Sequence, residues 1–92
     1  MKRLAAVDVG AQSGRVAVGE FDGERLTVSE VHRFANGPIN GGGHLRWDIH
    51  RIFDEALSGL GRAADGGAID AVGVDCWAVD FGLLDRAGEL TR

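Results

Sequence analysis

Residues 8–15, with the sequence DVGAQSGR, place small residues, a hydroxyl and two opposite charges in one short segment. Backbone amides and a hydroxyl on such a turn can surround a phosphate, and the Arg15 guanidinium adds positive charge and paired hydrogen bonds. The Asp8 carboxylate can organise magnesium, directly or through water, beside that phosphate. The segment is therefore typical of a phosphate-binding turn, and an ordinary hairpin with an exposed arginine is the alternative. Neither GxxxxGK nor GxGxxG occurs, which excludes those two glycine-rich nucleotide loops.

A second candidate site lies at residues 73–81, with the sequence GVDCWAVDF. Two carboxylates and a tryptophan interrupt an otherwise apolar strand, which a plain buried strand rarely tolerates. Ligands in open α/β sheets bind beyond the carboxyl ends of parallel strands, and this cluster is predicted to lie at such an end. Carboxylates accept hydrogen bonds from sugar hydroxyls, and the Trp77 ring can cover a sugar's C–H surface. The alternative is a solvated strand end with Trp77 covering the core.

Three other residues have simpler structural explanations. Trp47 can either hold the start of a helix against the core or contact a ligand, and Asp48 is explained by helix capping. Cys76 lies in an apolar stretch without an activating neighbour, which favours a core thiol over a nucleophile. The single cysteine and the three histidines lack metal-ligand spacing, so we expect no structural metal.

The composition excludes several classes of protein. Ten basic and fourteen acidic residues give a net charge of −4, which supplies no basic field for a nucleic-acid backbone. The N-terminal apolar run is interrupted by Asp8 and is too short for a signal peptide, and no segment is long enough to span a bilayer. We therefore expect a cytoplasmic protein that binds neither nucleic acid nor a membrane.

The chain alternates strand and turn signals before one long helix. Three strands are predicted at 4–9, 15–21 and 26–34, with Asp22-Gly23 as a hairpin turn. Residues 36–43 contain Asn-Gly, Gly-Pro and three consecutive glycines, which predicts a loop. A helix begins at Asp48 and ends before Gly66 or Gly67, with strands at 69–76 and 79–84 and a turn at 85–88 after it.

Residues 4–34 and 70–84 are predicted to form one mixed sheet, with three antiparallel strands, a crossover helix and then a parallel strand. The helix at 48–64 should pack on the sheet through the apolar residues at helical spacing, which are Ile52, Phe53, Ala56, Leu57 and Leu60. This element order is typical of the ribonuclease-H-like core of actin-like ATPases and also of some other α+β domains.

Four segments together carry a resemblance to a known family. The sequences AVDVGAQSGR at 6–15, EVHRFANG at 30–37, RWDIHRIF at 46–53 and AVGVDCWAVDFGLLDRAGEL at 71–90 resemble the start of the rhamnulokinases. These belong to the FGGY family of carbohydrate kinases. The first segment is shared with that wider family, and the second and fourth point to the rhamnulokinases in particular. The similarity runs through essentially all 92 residues.

The resemblance implies an α/β protein with part of an actin-type ATPase domain, and a cleft that binds ATP with Mg²⁺ and a sugar. It implies phosphorylation of L-rhamnulose to L-rhamnulose 1-phosphate in rhamnose catabolism. The residues it assigns to ATP phosphates are Asp8, Gly10, Ala11, Gln12, Ser13, Gly14 and Arg15, with Asp8 also assigned to Mg²⁺. It assigns Ala78 to the sugar, beside Trp77 and Asp80, which the residues themselves make candidates for sugar binding.

The resemblance also implies that the general-base aspartate and the second domain lie beyond residue 92. We therefore expect residues 1–92 to be the N-terminal part of the first domain, inactive alone, with the rest of the kinase chain as a partner. Fifteen glycines and a thin core further predict a marginal domain that self-associates through exposed apolar surface. Two alternatives remain open, a non-catalytic actin-like module that binds nucleotide or protein, and another FGGY sugar kinase.

Overall fold

The computed structural model describes residues 1–77 and 81–91. It contains six strands and one helix in this part of the chain. Their bounds are β1 Lys2–Val9, β2 Ser13–Phe21, β3 Leu26–Ala35, β4 Pro38–Gly41, β5 His44–Trp47, α1 Ile49–Asp65 and β6 Ala71–Cys76.

Four strands form one mixed sheet in the order β3-β2-β1-β6. Strands β1, β2 and β3 are an antiparallel meander, and β6 pairs with β1 in parallel after the crossover through α1. A parallel pair needs a long connection, and the segment between β1 and β6 provides it. The predicted order of three antiparallel strands, a crossover helix and a parallel strand is confirmed, and the described sheet ends at Cys76.

The turn between β2 and β3 forms where Asp22-Gly23 predicted it. Oδ1 of Asp22 accepts the backbone N–H groups of Arg25 at 2.8 Å and Glu24 at 2.9 Å. An aspartate that binds the amides two and three residues later closes an Asx turn. These hydrogen bonds, that from Arg25 first, lower the pKa of Asp22 because they favour its charged form.

The predicted loop at 36–43 is wrong in part, because residues 38–41 form β4. This strand pairs with β5 in a separate two-stranded sheet. Gly42 and Gly43 connect the two strands with φ angles of +62° and +82°. A two-residue hairpin of this kind needs positive φ at both positions, which glycine allows without strain. The glycine run therefore specifies a tight hairpin.

Helix α1 is fixed at both of its ends. Oδ1 of Asp48 accepts the backbone N–H of Arg51 at 3.2 Å, as predicted for its N-cap. At the other end, Nη1 of Arg3 donates to the carbonyl oxygens of Ala63 at 3.0 Å and Gly67 at 2.6 Å. A guanidinium there satisfies orphan carbonyls and opposes the negative end of the helix dipole. Strand β1 and the end of α1 are thereby joined.

The face that α1 packs on the sheet agrees with the predicted one at Ile52 and Leu60 and differs from it at Phe53 and Leu57. Ile52, Gly59 and Ala63 are its buried residues, whereas Phe53 and Leu57 are 61% and 50% exposed. The helix contacts β1, β2 and β3, and among the described residues it makes no contact with β6. Because α1 lies toward the meander, the apolar side that includes Phe53 and Leu57 points beyond it. The predicted packing of these two residues is wrong.

The core lies between α1 and the middle of the meander. It consists of Ala5, Val7, Val16, Val18, Phe34, Ile52 and Ala63. All six residues of β6 are exposed, including Cys76, so the predicted core thiol is also wrong. Cys76 is exposed for the same reason as Phe53 and Leu57, because no described helix or strand covers β6.

A strand was predicted at 79–84, but residues 81–83 form no strand. Residues 78–80 lie outside the described part of the chain. Leu84 makes only an isolated bridge with Leu90. The turn predicted at 85–88 is present, because the Gly88 N–H donates to the Asp85 carbonyl at 3.0 Å. No helix in ranges 1–77 and 81–91 is long and apolar enough to cross a membrane.

Candidate functional site

The predicted phosphate-binding turn joins β1 to β2 at one end of the sheet. The backbone N–H of Gly10 donates to the carbonyl of Ser13 at 3.0 Å, which closes the turn. Gly14 begins the buried stretch of β2, and a Cβ there would collide with the ring of Phe34 on β3. Glycine is therefore required at this position by the close approach of an aromatic ring, and the turn is anchored to β3.

Three of the predicted site residues meet on this turn. Nη1 of Arg15 donates to Oδ2 of Asp8, and Nη2 donates to Oγ of Ser13 at 3.0 Å. Nε of Arg15 is buried and has no hydrogen-bond partner among the described residues. A buried donor without a partner is costly, so an anion placed here would be stabilised by the hydrogen bond it accepts.

The strand registers align four charged residues across the sheet. Asp8 on β1 is the register partner of Asp75 on β6 and of Arg15 on β2. Arg15 is in turn the register partner of Arg33 on β3. The flanking residues Val7, Val16 and Phe34 point into the core, so strand alternation places this row on the other face. Two carboxylates and two guanidiniums thus lie side by side on the face opposite the core.

Arg33 is a site residue that the sequence analysis missed. Its Nη1 lies 3.4 Å from Oγ of Ser13, the hydroxyl that Arg15 also contacts. Nε and Nη2 of Arg33 each donate to Glu30 at 2.8 Å. Hydrogen bonding in this exposed pair lowers the pKa of Glu30 and raises the pKa of Arg33.

A β-bulge explains why Arg33 was missed. The β2–β3 register shifts between Val16, which pairs with His32, and Ala17, which pairs with Glu30. The extra residue, Val31, is left between these pairs. Counting back from the β2–β3 turn without a bulge would place His32 opposite Arg15. Since a shift by one residue reverses the faces of a strand, only the bulge brings Arg33 to Arg15.

Asn36 is the second missed residue. Its Nδ2 donates to the carbonyl of Gly10 at 2.9 Å, and its backbone N–H donates to the carbonyl of Gln12 at 3.0 Å. The signal in the sequence was the Asn-Gly pair after β3, which was interpreted only as part of a loop.

The second candidate site begins at Trp77, directly after β6. Cys76 is the register partner of Val9, so Trp77 and Gly10 leave the sheet at the same end. The rings of Trp77 and Trp47 lie 4.7 Å apart at 56°, a tilted aromatic pair. The structure thereby brings Trp47, which the sequence left between two roles, to the second site. Ala78 and Asp80, the other predicted sugar residues, lie outside the described residues.

The geometry therefore places the turn that bears Asp8, Ser13 and Arg15 at the same end of the parallel β1–β6 pair as the Trp47–Trp77 pair. Known proteins are similar to this chain in sequence. A rhamnulokinase of Bacillus subtilis is 46% identical over 88 residues, which are 95% of this chain and 18% of that protein. The chain matches the rhamnulokinases along almost its whole length.

Two further rhamnulokinases show similar values. That of Oceanobacillus iheyensis is 48% identical over 88% of this chain, and that of Bacteroides thetaiotaomicron is 43% identical over 95%. The chain spans 17% and 18% of their lengths. No family model matches the chain. The resemblance to rhamnulokinases predicted from four sequence segments is confirmed.

Proposed function

We propose that the chain forms one wall of the active site of a carbohydrate kinase that phosphorylates the 1-hydroxyl of L-rhamnulose with ATP. The observation that carries the proposal is the buried, unpartnered Nε of Arg15 on the β1–β2 turn, among the described residues. It marks a place for an anion in the segment that matches the rhamnulokinases. The ATP phosphates are the anion that such a kinase would bring there.

The described residues suit ATP phosphates. Arg15 offers Nε, and the hydroxyl of Ser13 lies between two guanidiniums. Phosphoryl transfer depends on positioning and on neutralising charge that spreads over the transferred oxygens. In this proposal Arg15 holds the phosphates and Arg33 adds to the positive field around them. Both donate hydrogen bonds, and neither needs to gain or lose a proton.

The same end of the sheet also suits Mg²⁺. Asp8 and its register neighbour Asp75 present two carboxylates side by side. Among the described residues Arg15 pairs with Asp8, so a further cation would balance the charge of Asp75. Carboxylate oxygens are ligands that Mg²⁺ prefers. When bound, the metal would neutralise charge on the phosphate oxygens. Asp8 would hold it or its water molecules, and Arg15 would keep Asp8 in place.

The sugar is proposed to lie beside Trp77, on the wall that Trp47 extends. The resemblance assigns Ala78 to this role and the sequence pattern assigns Trp77 and Asp80, and these roles stay predictions. In a complete kinase we expect Asp80→Asn to raise the KM for L-rhamnulose while that for ATP stays nearly unchanged, because an amide presents donors where a carboxylate accepts. A lower melting temperature without this sugar-specific defect would remove Asp80 from the site.

The fold proposed for the whole enzyme is a pair of actin-like domains with ATP and sugar in the cleft between them. The described sheet supports this fold, because its meander, crossover helix and parallel strand follow one another in the order that is typical of actin-like cores. We propose that the general base and the second domain are supplied by sequence beyond residue 92, as the resemblance implies.

A chimera tests the proposal. The 88 matched residues of the Bacillus subtilis rhamnulokinase would be replaced by the corresponding residues of this chain. The chimera would then be assayed with ATP and L-rhamnulose, xylulose, ribulose or glycerol. We expect L-rhamnulose to give the highest kcat/KM. Preference for another of these sugars would favour a different FGGY kinase. A folded chimera that phosphorylates none of them would favour a non-catalytic module.

A further inference from the structure

Asn36 holds the β1–β2 turn from the side of β3. Its side-chain Nδ2 donates to the carbonyl of Gly10 at 2.9 Å, and its backbone N–H donates to the carbonyl of Gln12 at 3.0 Å. Asn36 is partly buried and follows β3 directly. Two carbonyl groups of one short turn are therefore fixed by a single residue from another strand.

These two hydrogen bonds also determine where the neighbouring amides point. In a trans peptide unit the C=O and the following N–H point in opposite directions, and the described residues contain no cis peptide bond. Because the carbonyls of Gly10 and Gln12 point to Asn36, the N–H groups of Ala11 and Ser13 point away from it. Both belong to residues that the resemblance assigns to the ATP phosphates.

We propose that Asn36 is a positioning residue that aims the N–H groups of Ala11 and Ser13 at the nucleotide phosphates. The inference rests on the proposed function, because that function supplies the phosphates. Only a side chain with a donor can satisfy the Gly10 carbonyl. An aspartate has the same shape but no donor when ionised, so its carboxylate would repel that carbonyl.

The experiment uses the 92-residue chain labelled with ¹⁵N and titrated with MgATP. The chemical shifts of the Ala11 and Ser13 amides report binding, and hydrogen exchange at the Gly10 amide reports the closure of the turn. The variants are Asn36→Ala and Asn36→Asp. Asn40→Ala is the matched control, because Asn40 is an exposed asparagine on β4. Asn36→Asp keeps the shape of the side chain if Asn36→Ala impairs folding.

We expect both Asn36 variants to bind MgATP roughly three- to tenfold more weakly, the effect of losing one net hydrogen bond. The Gly10 amide should exchange faster by a similar factor, and Asn40→Ala should match the unmodified chain. A purely structural role would lower the melting temperature without a change in affinity specific to MgATP.

Two other results separate this inference from the proposed function. If both Asn36 variants keep the affinity and the slow Gly10 exchange of the unmodified chain, Asn36 does not position the turn, and the proposed function stands. If the unmodified chain shows no amide shift with MgATP while the variants still exchange faster at Gly10, the phosphate role of the turn is overturned. Asn36 would then hold a turn of another purpose.

Discussion

Strands β2 and β6 both flank β1 and are both rich in small apolar residues, yet only β2 is buried. Val16 and Val18 on β2 are 0% and 2% exposed, whereas Val72 and Val74 on β6 are 53% and 69% exposed. Helix α1 covers the meander and leaves β6 without a contact among the described residues. The burial of a strand in this chain is therefore decided by what covers it rather than by its composition.

The same difference divides the two candidate sites. The β1–β2 turn is held by Phe34 and Asn36, both contributed by the β3 side of the sheet. The proposed sugar wall begins where the uncovered β6 ends, at the Trp47–Trp77 pair. The described residues therefore hold the β1–β2 turn in place, whereas the residues after β6 have less support from the rest of the described chain.

The largest expected effect tests the covered region. Ile52 is 7% exposed on the face of α1 that meets the sheet, and we expect Ile52→Ala to lower the free energy of unfolding by about 2 to 5 kcal/mol. The matched variant is Leu57→Ala on the open side of the same helix, where a half-exposed side chain should cost about 1 kcal/mol or less. Urea unfolding measures both. Equal losses would mean that the side bearing Leu57 is covered in solution.

The next effect concerns the link between β1 and the end of α1. Arg3→Met keeps the apolar stem but removes two hydrogen bonds to helix-end carbonyls. We expect a loss of about 1.5 to 3 kcal/mol, the range for hydrogen bonds that involve a charged group. Arg25→Met, in the exposed β2–β3 turn, is the control for loss of charge. A loss no larger than that of the control would show that Arg3 does not stabilise the helix end.

The uncovered region predicts self-association of the chain. Phe53, Leu57 and Val74 line one apolar groove between α1 and β6. Sedimentation should show a reversible oligomer that Leu57→Glu weakens roughly fivefold or more, as for an interface residue worth over 1 kcal/mol. Leu26→Glu alters an equally exposed leucine on β3 and should have no effect. A chain that stays monomeric at all concentrations contradicts the prediction.

The smallest effect is a pH dependence at the β2–β3 turn, far from both sites. Backbone N–H donors lower the pKa of Asp22 in the folded chain. Its contribution to stability is therefore complete above the unfolded pKa of about 3.9 and is lost as the pH falls through the lower folded value. Asp22→Asn cannot titrate, so its melting temperature should fall less steeply below about pH 4. Parallel melting curves from pH 6 to pH 2 would contradict this.

The sequence predicted those elements whose signals are local. Alternating apolar residues indicated the meander, and Asp48 marked the start of the helix. It did not predict the β4–β5 hairpin, because the glycines that allow its turn also resemble a loop. The packed side of α1 was predicted only in part. Its apolar side is broad, and only the position of the helix on the sheet decides that Ile52 is buried and Phe53 is exposed.

The candidate site was predictable to the same extent. Asp8, Ser13 and Arg15 lie close together in the sequence, and the structure brings them together. Arg33 could not be assigned from the sequence because a bulge in β3 sets its register. Asn36 was missed because its hydrogen bonds reach a turn more than twenty residues earlier, and such contacts leave no local pattern.

The central claim is that the β1–β2 turn faces the transferred phosphate, and the chimeric kinase tests it most directly. Its kcat with L-rhamnulose and ATP would be measured for Arg15→Ala and Asp8→Asn, together with a separate titration of sugar binding. Arg25→Ala in the distant β2–β3 turn serves as the control. We predict that kcat falls about a hundredfold in Arg15→Ala, as when one preorganised donor to a transition state is lost. Asp8→Asn should lower kcat in the same direction, and the affinity for sugar should stay unchanged in both. An unchanged kcat in both variants would contradict the account and leave the turn an ordinary hairpin.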